Sequence, residues 1–339
     1  MVMNVNFETS ASAAGWKGLV RPSLPQRPRD RHWYRERHAA CGVRRVWREA
    51  LGEGPGGVGR AACSVRRAGR GMSRVPPPAQ INDPDLDGSC QINKGFRQAR
   101  QLLLDINRLG LPTSTEYLDT ISPQFIADLV SWAAVGAGTA ESEAHRDLSS
   151  GLSTPVGFKN GNSGDSGAAI EAVSASAGPH AFLSVSKQGV AGIVETSGNR
   201  DCHVVLHGGT GGPNHSEEAV RGVCNSLAAL QLPARVMVDC GSYNARQSPS
   251  VQAEVAEGMA ARIAQGDECV FGLVLHSFLV SGRQDVVAGG APVYGMSVTE
   301  PCMDWSATSA ILQKLAAAVR QRRALNSTAQ PGRKKPKPS

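Results

Sequence analysis

Lys159 closes the apolar run Val156-Gly-Phe-Lys-Asn-Gly161. A lysine at a strand end can hold a phosphate or carboxylate, or form a Schiff base; the alternative is a solvated lysine with no chemical task. Gly136-Ala-Gly-Thr139 follows another such run and can cradle a phosphate on its backbone amides, but it lacks the full Gly-x-Gly-x-x-Gly pattern and also reads as an ordinary tight loop. His207-Gly-Gly-Thr-Gly-Gly212 is a flexible loop after a strand, either a ligand loop or a plain connection. His276 and Glu300 are candidate metal ligands, to be weighed against the commoner structural histidine.

The elements that must position these side chains alternate. Strand-like runs fall at Thr115–Leu118, Ala133–Val135, Val156–Phe158, Ala181–Val185, His203–Leu206, Arg235–Val238 and Val270–Leu275. Helical spacing appears at Phe96–Leu109, Pro123–Trp132, Glu217–Leu230, Val251–Ala264 and Thr308–Arg322. Strands alternating with helices predict a parallel sheet. Polar or glycine-rich residues sit just after the strands: Glu116 and Asp119, 136–139, Lys159 and Asn160, 207–209, Asp239, His276. Active sites occupy the C-terminal strand ends of a β/α barrel, so this placement favours a barrel over an open sheet.

Composition sets the bounds. At 41% hydrophobic and 19% charged, the chain can build a sizeable core. No apolar run is long enough to span a membrane, and Met1–Ser12 lacks the basic and apolar regions of a signal peptide. Eight cysteines without a Cys-x-x-Cys pair argue against a zinc ribbon or thioredoxin-type motif and fit a reduced, cytoplasmic chain. The net charge of +7 is misleading, because residues 20–80 hold 14 Arg, no Lys and 4 acids, +10 on their own, leaving −3 for the rest.

Trp33, Tyr34 and Trp47 interleave with the arginines of 20–80, which suits nucleic-acid binding, but such segments ordinarily mix Lys with Arg. A retained intron fits better: the segment opens on Val, a GTN codon, closes on Gln, a CAR codon, and has no sustained period. The expected organisation is a single barrel domain from residues 1–19 and 81–326, an Arg/Gly/Pro-rich insert at 20–80 that is disordered or intronic, and a basic disordered tail at 327–339. No nucleic-acid or membrane partner is expected.

Removing 20–80 joins Gly15-Trp-Lys-Gly-Leu19 to Ile81-Asn-Asp-Pro84. With Gln91-Ile-Asn-Lys-Gly95, Glu116–Gln124, Thr139–Arg146, Gly151–Gly161, Phe182–Lys187 and Leu315–Arg323, the joined sequence resembles the microbial type I 3-deoxy-D-arabino-heptulosonate 7-phosphate (DAHP) synthases. The resemblance implies an α/β fold, a (β/α)8 TIM-type barrel lacking its first strand and carrying an extra β-hairpin. It implies a transferase of aromatic amino-acid biosynthesis that condenses phosphoenolpyruvate with erythrose 4-phosphate, with a divalent metal as cofactor and a homo- or hetero-oligomer as the assembly. It places Lys159 as the catalytic lysine; Glu116, Ala137, Lys159 and His207 around phosphoenolpyruvate; His276 and Glu300 at metal positions; and Pro123, Gln124, Ser153, Phe182 and Ser184 around an aromatic amino-acid effector. The chain departs from the family at Asn4, Gly138 and His207, where the family has arginines, and at Ser242, His276 and Glu300, where it has other metal ligands. The alternative reading is a catalytically degenerate paralogue, acting as a regulatory or hetero-oligomer subunit, or a defective gene product.

Overall fold

The computed structural model describes residues 2–6, 61–65, 81–82, 84–85, 88–186, 189–285 and 292–329. Its centre is a closed barrel of eight strands: β1 (Val2–Asn6), β2 (Ala61–Val65), β3 (Thr113–Tyr117), β4 (Trp132–Val135), β5 (Val156–Lys159), β8 (His203–Leu206), β9 (Val236–Asp239) and β10 (Val270–His276). Around the ring the order is β1-β10-β9-β8-β5-β4-β3-β2. From β2 through β10 the neighbours run parallel, while β1 is antiparallel to both β10 and β2. Strands β5, β8, β9 and β10 are buried along their whole length, as parallel strands covered on both faces must be.

The expected gap at the first strand is therefore not found among the described residues. A parallel sheet short of one strand leaves two rows of unpaired N–H and C=O groups, and β1 and β2 satisfy those edges. Ala61–Val65 lies within the stretch expected to be a disordered insert, yet it pairs in register with Thr113–Thr115 through Cys63–Val65. The rest of 20–80 and residues 330–339 lie outside the described residues.

The helices show why they form. In α1 (Ile92–Arg108) the buried residues Gly95, Ala99, Leu103 and Ile106 make one stripe. Two shorter helices follow, α2 (Glu143–Ser150) and α3 (Gly167–Ser176). Helix α4 (Glu217–Ala229) begins at Ser216, whose side chain accepts from Ala219 N at 3.1 Å, with Glu217 and Glu218 in its first turn. Helix α5 (Pro249–Ala264) starts with proline and packs along α6 (Trp305–Ala329). The helix expected at Pro123–Trp132 is cut short. Pro123–Ile126 and a 3-10 turn at Ala127–Leu129 are helical, Val130 is extended, and β4 already begins at Trp132. Outside the barrel, β6 (Ala181–Val185) and β7 (Ala191–Glu195) pair antiparallel, with Leu183 and Ile193 exposed. A smaller pair joins β11 (Val280–Arg283) to β12 (Met296–Ser297). No helix among the described residues is long and apolar enough to cross a membrane.

Alternation along each strand sorts side chains between the helices and the barrel interior. Val204 and Leu206, and Val236 and Val238, join the outer core, whereas Val205 and Met237 pack in the inner cluster with Phe271 and Val274. Phe271 and Val274 differ in parity, and the register shift between Val270 and Gly272 accounts for it. Gly157 leaves room in this interior: a Cβ there would lie 2.6 Å from both Trp132 Cζ2 and Val205 Cγ2.

His203 shares that inner layer. Trp132 Nε1 donates to its Nε2 at 3.0 Å, its Nδ1 meets Asp201 O at 3.1 Å, and its ring stands edge-on to Phe271 at 4.9 Å. Accepting at Nε2 requires a neutral imidazole, and burial pushes the pKa down from 6.5 to about 4. Below about pH 6.5 the unfolded chain binds a proton that the folded chain refuses. Folding stability should therefore fall by up to about 3 kcal/mol as the pH drops from about 6.5 to about 4. Denaturant titrations across that window check this. His203→Gln, which keeps an acceptor for Trp132 but does not titrate, should flatten this part of the profile.

Candidate active site

Alternation along the strands also builds the site. Tyr117 and Phe158 face the outer core, so Glu116 and Lys159 face inward at the C-terminal ends of β3 and β5. Met237 and Val274 face inward, so Asp239 and His276, two residues on, do too. These four side chains form the top layer of the barrel interior, where barrel chemistry is carried out.

They form an ion-pair chain. Lys159 Nζ lies 3.3 Å from Glu116 Oε2 and 3.5 Å from Asp239 Oδ2. His276 Nε2 lies 3.1 Å from Asp239 Oδ1, and Gly241 N donates to that same oxygen at 3.0 Å. His276 Nδ1 is buried without a hydrogen-bond partner among the described residues and sits 3.9 Å from Glu300 Oε2. Gln252 fixes the backbone of His276, donating to its carbonyl at 3.0 Å and accepting from its N–H at 2.6 Å. A Cβ at Gly136 would lie 2.7 Å from Glu116 Oε1, so glycine there lets the carboxylate settle against the loop. Thr139 N and Oγ1 both donate to Gly136 O, closing the turn that carries Ala137 and Gly138.

His207 stands beside this chain. Burial and the nearby Lys159 cation push its pKa below the usual imidazole range, and its Nε2 lies 3.0 Å from the carbonyl of Asn160. A nitrogen facing a carbonyl must donate, so His207 Nε2 is a donor already engaged with the backbone.

Three amides hold these loops; of them only Asn160 stood out in the sequence, as a polar residue after a strand, and Asn214 and Asn244 did not. Asn160 Oδ1 accepts from His207 N at 2.8 Å and Asn214 Nδ2 at 3.1 Å, and Asn160 Nδ2 donates to Gly208 O at 2.8 Å. Asn244 Nδ2 donates to Leu206 O and Asp239 O, and its Oδ1 accepts from Asn214 N at 2.8 Å. Gly208 has φ +77°, and a Cβ there would lie 2.8 Å from Asn244 N. Asn160 directly follows β5, a position that asparagines in turns share, whereas Asn244 lies in the 3-10 turn Ser242–Ala245 beyond β9.

A second cavity, of about 770 Å³, lies against the β6–β7 hairpin. Gln124, Ser153, Phe182 and Ser184 all line it, and Gln124 Nε2 donates to Val185 O at 2.5 Å. Pro123 does not line it; it is buried beside Gln124 at the start of the short helix.

Comparison with known proteins gives these features a frame. The model of the DAHP synthetase I family matches residues 79–313. The chain belongs to that family. It is 49% identical over 243 residues to the Phe-sensitive phospho-2-dehydro-3-deoxyheptonate aldolase of Escherichia coli K12, covering 72% of this chain and 69% of that protein. It is 46% identical over 252 residues to the tyrosine-inhibited phospho-2-dehydro-3-deoxyheptonate aldolase of Schizosaccharomyces pombe, covering 72% and 66%. The solved structure of the aldolase from Francisella tularensis SCHU S4 matches with a TM-score of 0.74 at 42% identity, covering 77% of this chain and 76% of that one.

For a member of the DAHP synthetase I family, the metal positions are sparse. No group of three or more His, Cys, Asp or Glu side chains among the described residues is arranged to hold an ion. His276 and Glu300 come together, but Asp239 is engaged by Lys159 and His276. Cys240 is fully buried, and burial pushes its thiol well above the usual range, so it offers no thiolate. The side chains present do not fit a tightly held divalent ion, which wants about four protein donors or three and water. Protein purified without chelator should accordingly carry far less than about one equivalent of manganese, iron, cobalt or zinc by elemental analysis, and His276→Ala should not change that content.

Proposed function

We propose that this chain condenses phosphoenolpyruvate with erythrose 4-phosphate, forming DAHP and releasing inorganic phosphate. The observation that carries the reading is the buried Lys159 cation at the C-terminal mouth of the barrel, within reach of Glu116 and Asp239, in a chain of the DAHP synthetase I family. A carbon–carbon bond forms between C3 of phosphoenolpyruvate and the aldehyde carbon. Water adds at C2, and the phosphate leaves that carbon. Lys159 supplies the fixed positive charge that an anionic substrate needs in a water-poor site. Glu116 and Asp239 hold the ammonium in place before substrate arrives. His276, backed by Asp239 at Nε2, offers Nδ1 as a site where a proton is taken up or given.

The cavity beside the hairpin is proposed to take an aromatic amino acid as effector. Its volume of about 770 Å³ suits one, and the similar proteins are described as Phe-sensitive and tyrosine-inhibited.

Position 138 tests the proposal. The family's arginine is replaced there by glycine, and a Cβ at Gly138 would meet nothing within 4 Å. Gly138→Arg should be accommodated and should lower the KM for phosphoenolpyruvate roughly tenfold, the yield of about one charge-assisted hydrogen bond. Lys159→Met should abolish erythrose 4-phosphate-dependent phosphate release in either background. If neither the natural chain nor Gly138→Arg releases phosphate in that assay, the degenerate-paralogue reading replaces this one.

A further inference from the structure

The β6–β7 hairpin forms one wall of the second cavity, yet it buries little of itself. Ala191–Glu195 is exposed along its whole length, and Leu183 and Ile193, which pair across the hairpin, are 72% and 68% exposed. Its placement therefore depends on its root. There His180, just before β6, and Thr196, just after β7, hold each other: His180 N donates to Thr196 Oγ1 at 3.0 Å, and Thr196 N donates to His180 O at 2.8 Å. The Thr196 hydroxyl lies 2.6 Å from that of Ser150, the last residue of α2, and both residues line the cavity.

The His180 ring ties this root to two helices. Nδ1 lies 2.6 Å from Asp147 Oδ1 in α2, and Nε2 lies 2.8 Å from the carbonyl of Ala175 in α3. A carbonyl and a carboxylate only accept, so both ring nitrogens must carry hydrogen, and only the imidazolium has two. The charges around the ring favour that cation. Helix α2 presents Asp147 and Glu143, while its Arg146 is engaged by Glu143 at 3.4 Å and by Glu171 of α3 at 3.8 Å. From the hairpin, Glu195 pairs with Ala181 alongside. The Ala175 carbonyl and then the Asp147 carboxylate raise the His180 pKa above its usual 6.5, outweighing partial burial. The ring keeps 19% of its surface exposed, so solvent can deliver and remove the proton.

We propose that His180 is a proton-operated clamp: as imidazolium it fastens the hairpin to α2 and α3 and shapes the cavity wall, and on losing its proton it lets the hairpin loosen and the cavity bind its occupant less tightly. A neutral ring has one N–H. One nitrogen then turns a lone pair toward an oxygen that only accepts, so either Asp147 or Ala175 is released. Because the folded pKa is raised, the clamp is complete below about pH 6.5 and is lost as the pH rises through the folded value. The effect on binding rests on the reading of this cavity as an aromatic amino-acid site; the loosening of the hairpin does not.

Hydrogen exchange of the full chain, corrected for the intrinsic pH dependence of amide exchange, tests the clamp without a ligand. From about pH 6 to about pH 8.5, protection of 181–185 and 191–195 should fall roughly tenfold relative to α4, the loss of about one charge-assisted hydrogen bond. In His180→Gln protection should be low and flat across that range, and in Asp147→Asn the midpoint should move to lower pH. Calorimetric titration with phenylalanine should show Kd rising roughly tenfold over the same range in the natural chain and staying constant in His180→Gln. Hairpin protection that does not change with pH, or that falls equally in His180→Gln, overturns the clamp. Loosening of the hairpin with no binding of phenylalanine or tyrosine at any pH supports the clamp and overturns the effector reading. Phenylalanine bound equally well at both ends of the range, over a hairpin that stays protected, supports the effector reading and overturns the clamp. If His180→Gln does not fold, an unshifted midpoint in Asp147→Asn overturns the clamp and a lowered one supports it.

Discussion

Asp239 has no exposed surface, and a buried carboxylate costs several kcal/mol unless cations and hydrogen bonds compensate it. Much of the barrel mouth follows from that constraint. Lys159 comes to it from β5, His276 from β10 and the Gly241 amide from its own loop. Asn244 holds the Asp239 carbonyl and ties it to the end of β8. Gln252, from α5, clamps the backbone of His276 so that its ring keeps facing the carboxylate. These contacts register four neighbouring strand ends, those of β5, β8, β9 and β10, against each other and against a helix.

The same compensation shapes the chemistry. Lys159 is paired with two carboxylates, and burial and Lys159 itself push the His207 pKa down. An incoming phosphate or carboxylate must share the ammonium with Glu116 and Asp239, so the field at the mouth is weaker than one lined by free guanidinium groups. Gly136 and Gly138 leave the loop slim on that side. At Gly136 the space belongs to Glu116, and at Gly138 it is empty.

Elements with near-continuous apolar runs were legible. His203–Leu206 and Val270–Leu275 read as strands because both faces are buried, whereas the end of such a run left Lys159 open between an anion-holding and a solvated lysine, and it is in fact buried and paired. At Pro123–Trp132 the spacing of Ile126, Leu129 and Val130 imitates a helix, but that spacing serves a turn that delivers the chain into β4. Ala191–Glu195 gave no signal, because all five residues are exposed and neither face has to be apolar. The closing role of Ala61–Val65 was hidden by its arginine-rich surroundings, since pairing uses only backbone groups. Asp239 and the asparagines could not be ranked from sequence. Their importance lies in which strand ends they join, and that is a property of closure.

The antiparallel strand has a geographical consequence. Val2 pairs with His276, at the chemical end of the barrel, and Asn6 pairs with Gly272, nearer the opposite rim. Ala61 pairs with Val5 and starts β2 at that same opposite rim, and β2 then climbs to Val65 beside the mouth. Asn6 and Ala61 therefore both lie on the side remote from Lys159, whereas Val65 ends β2 at the rim that holds the site. Five residues of one strand thus cross the whole height of the barrel wall, from Ala61 far from the reacting groups to Val65 at their doorstep.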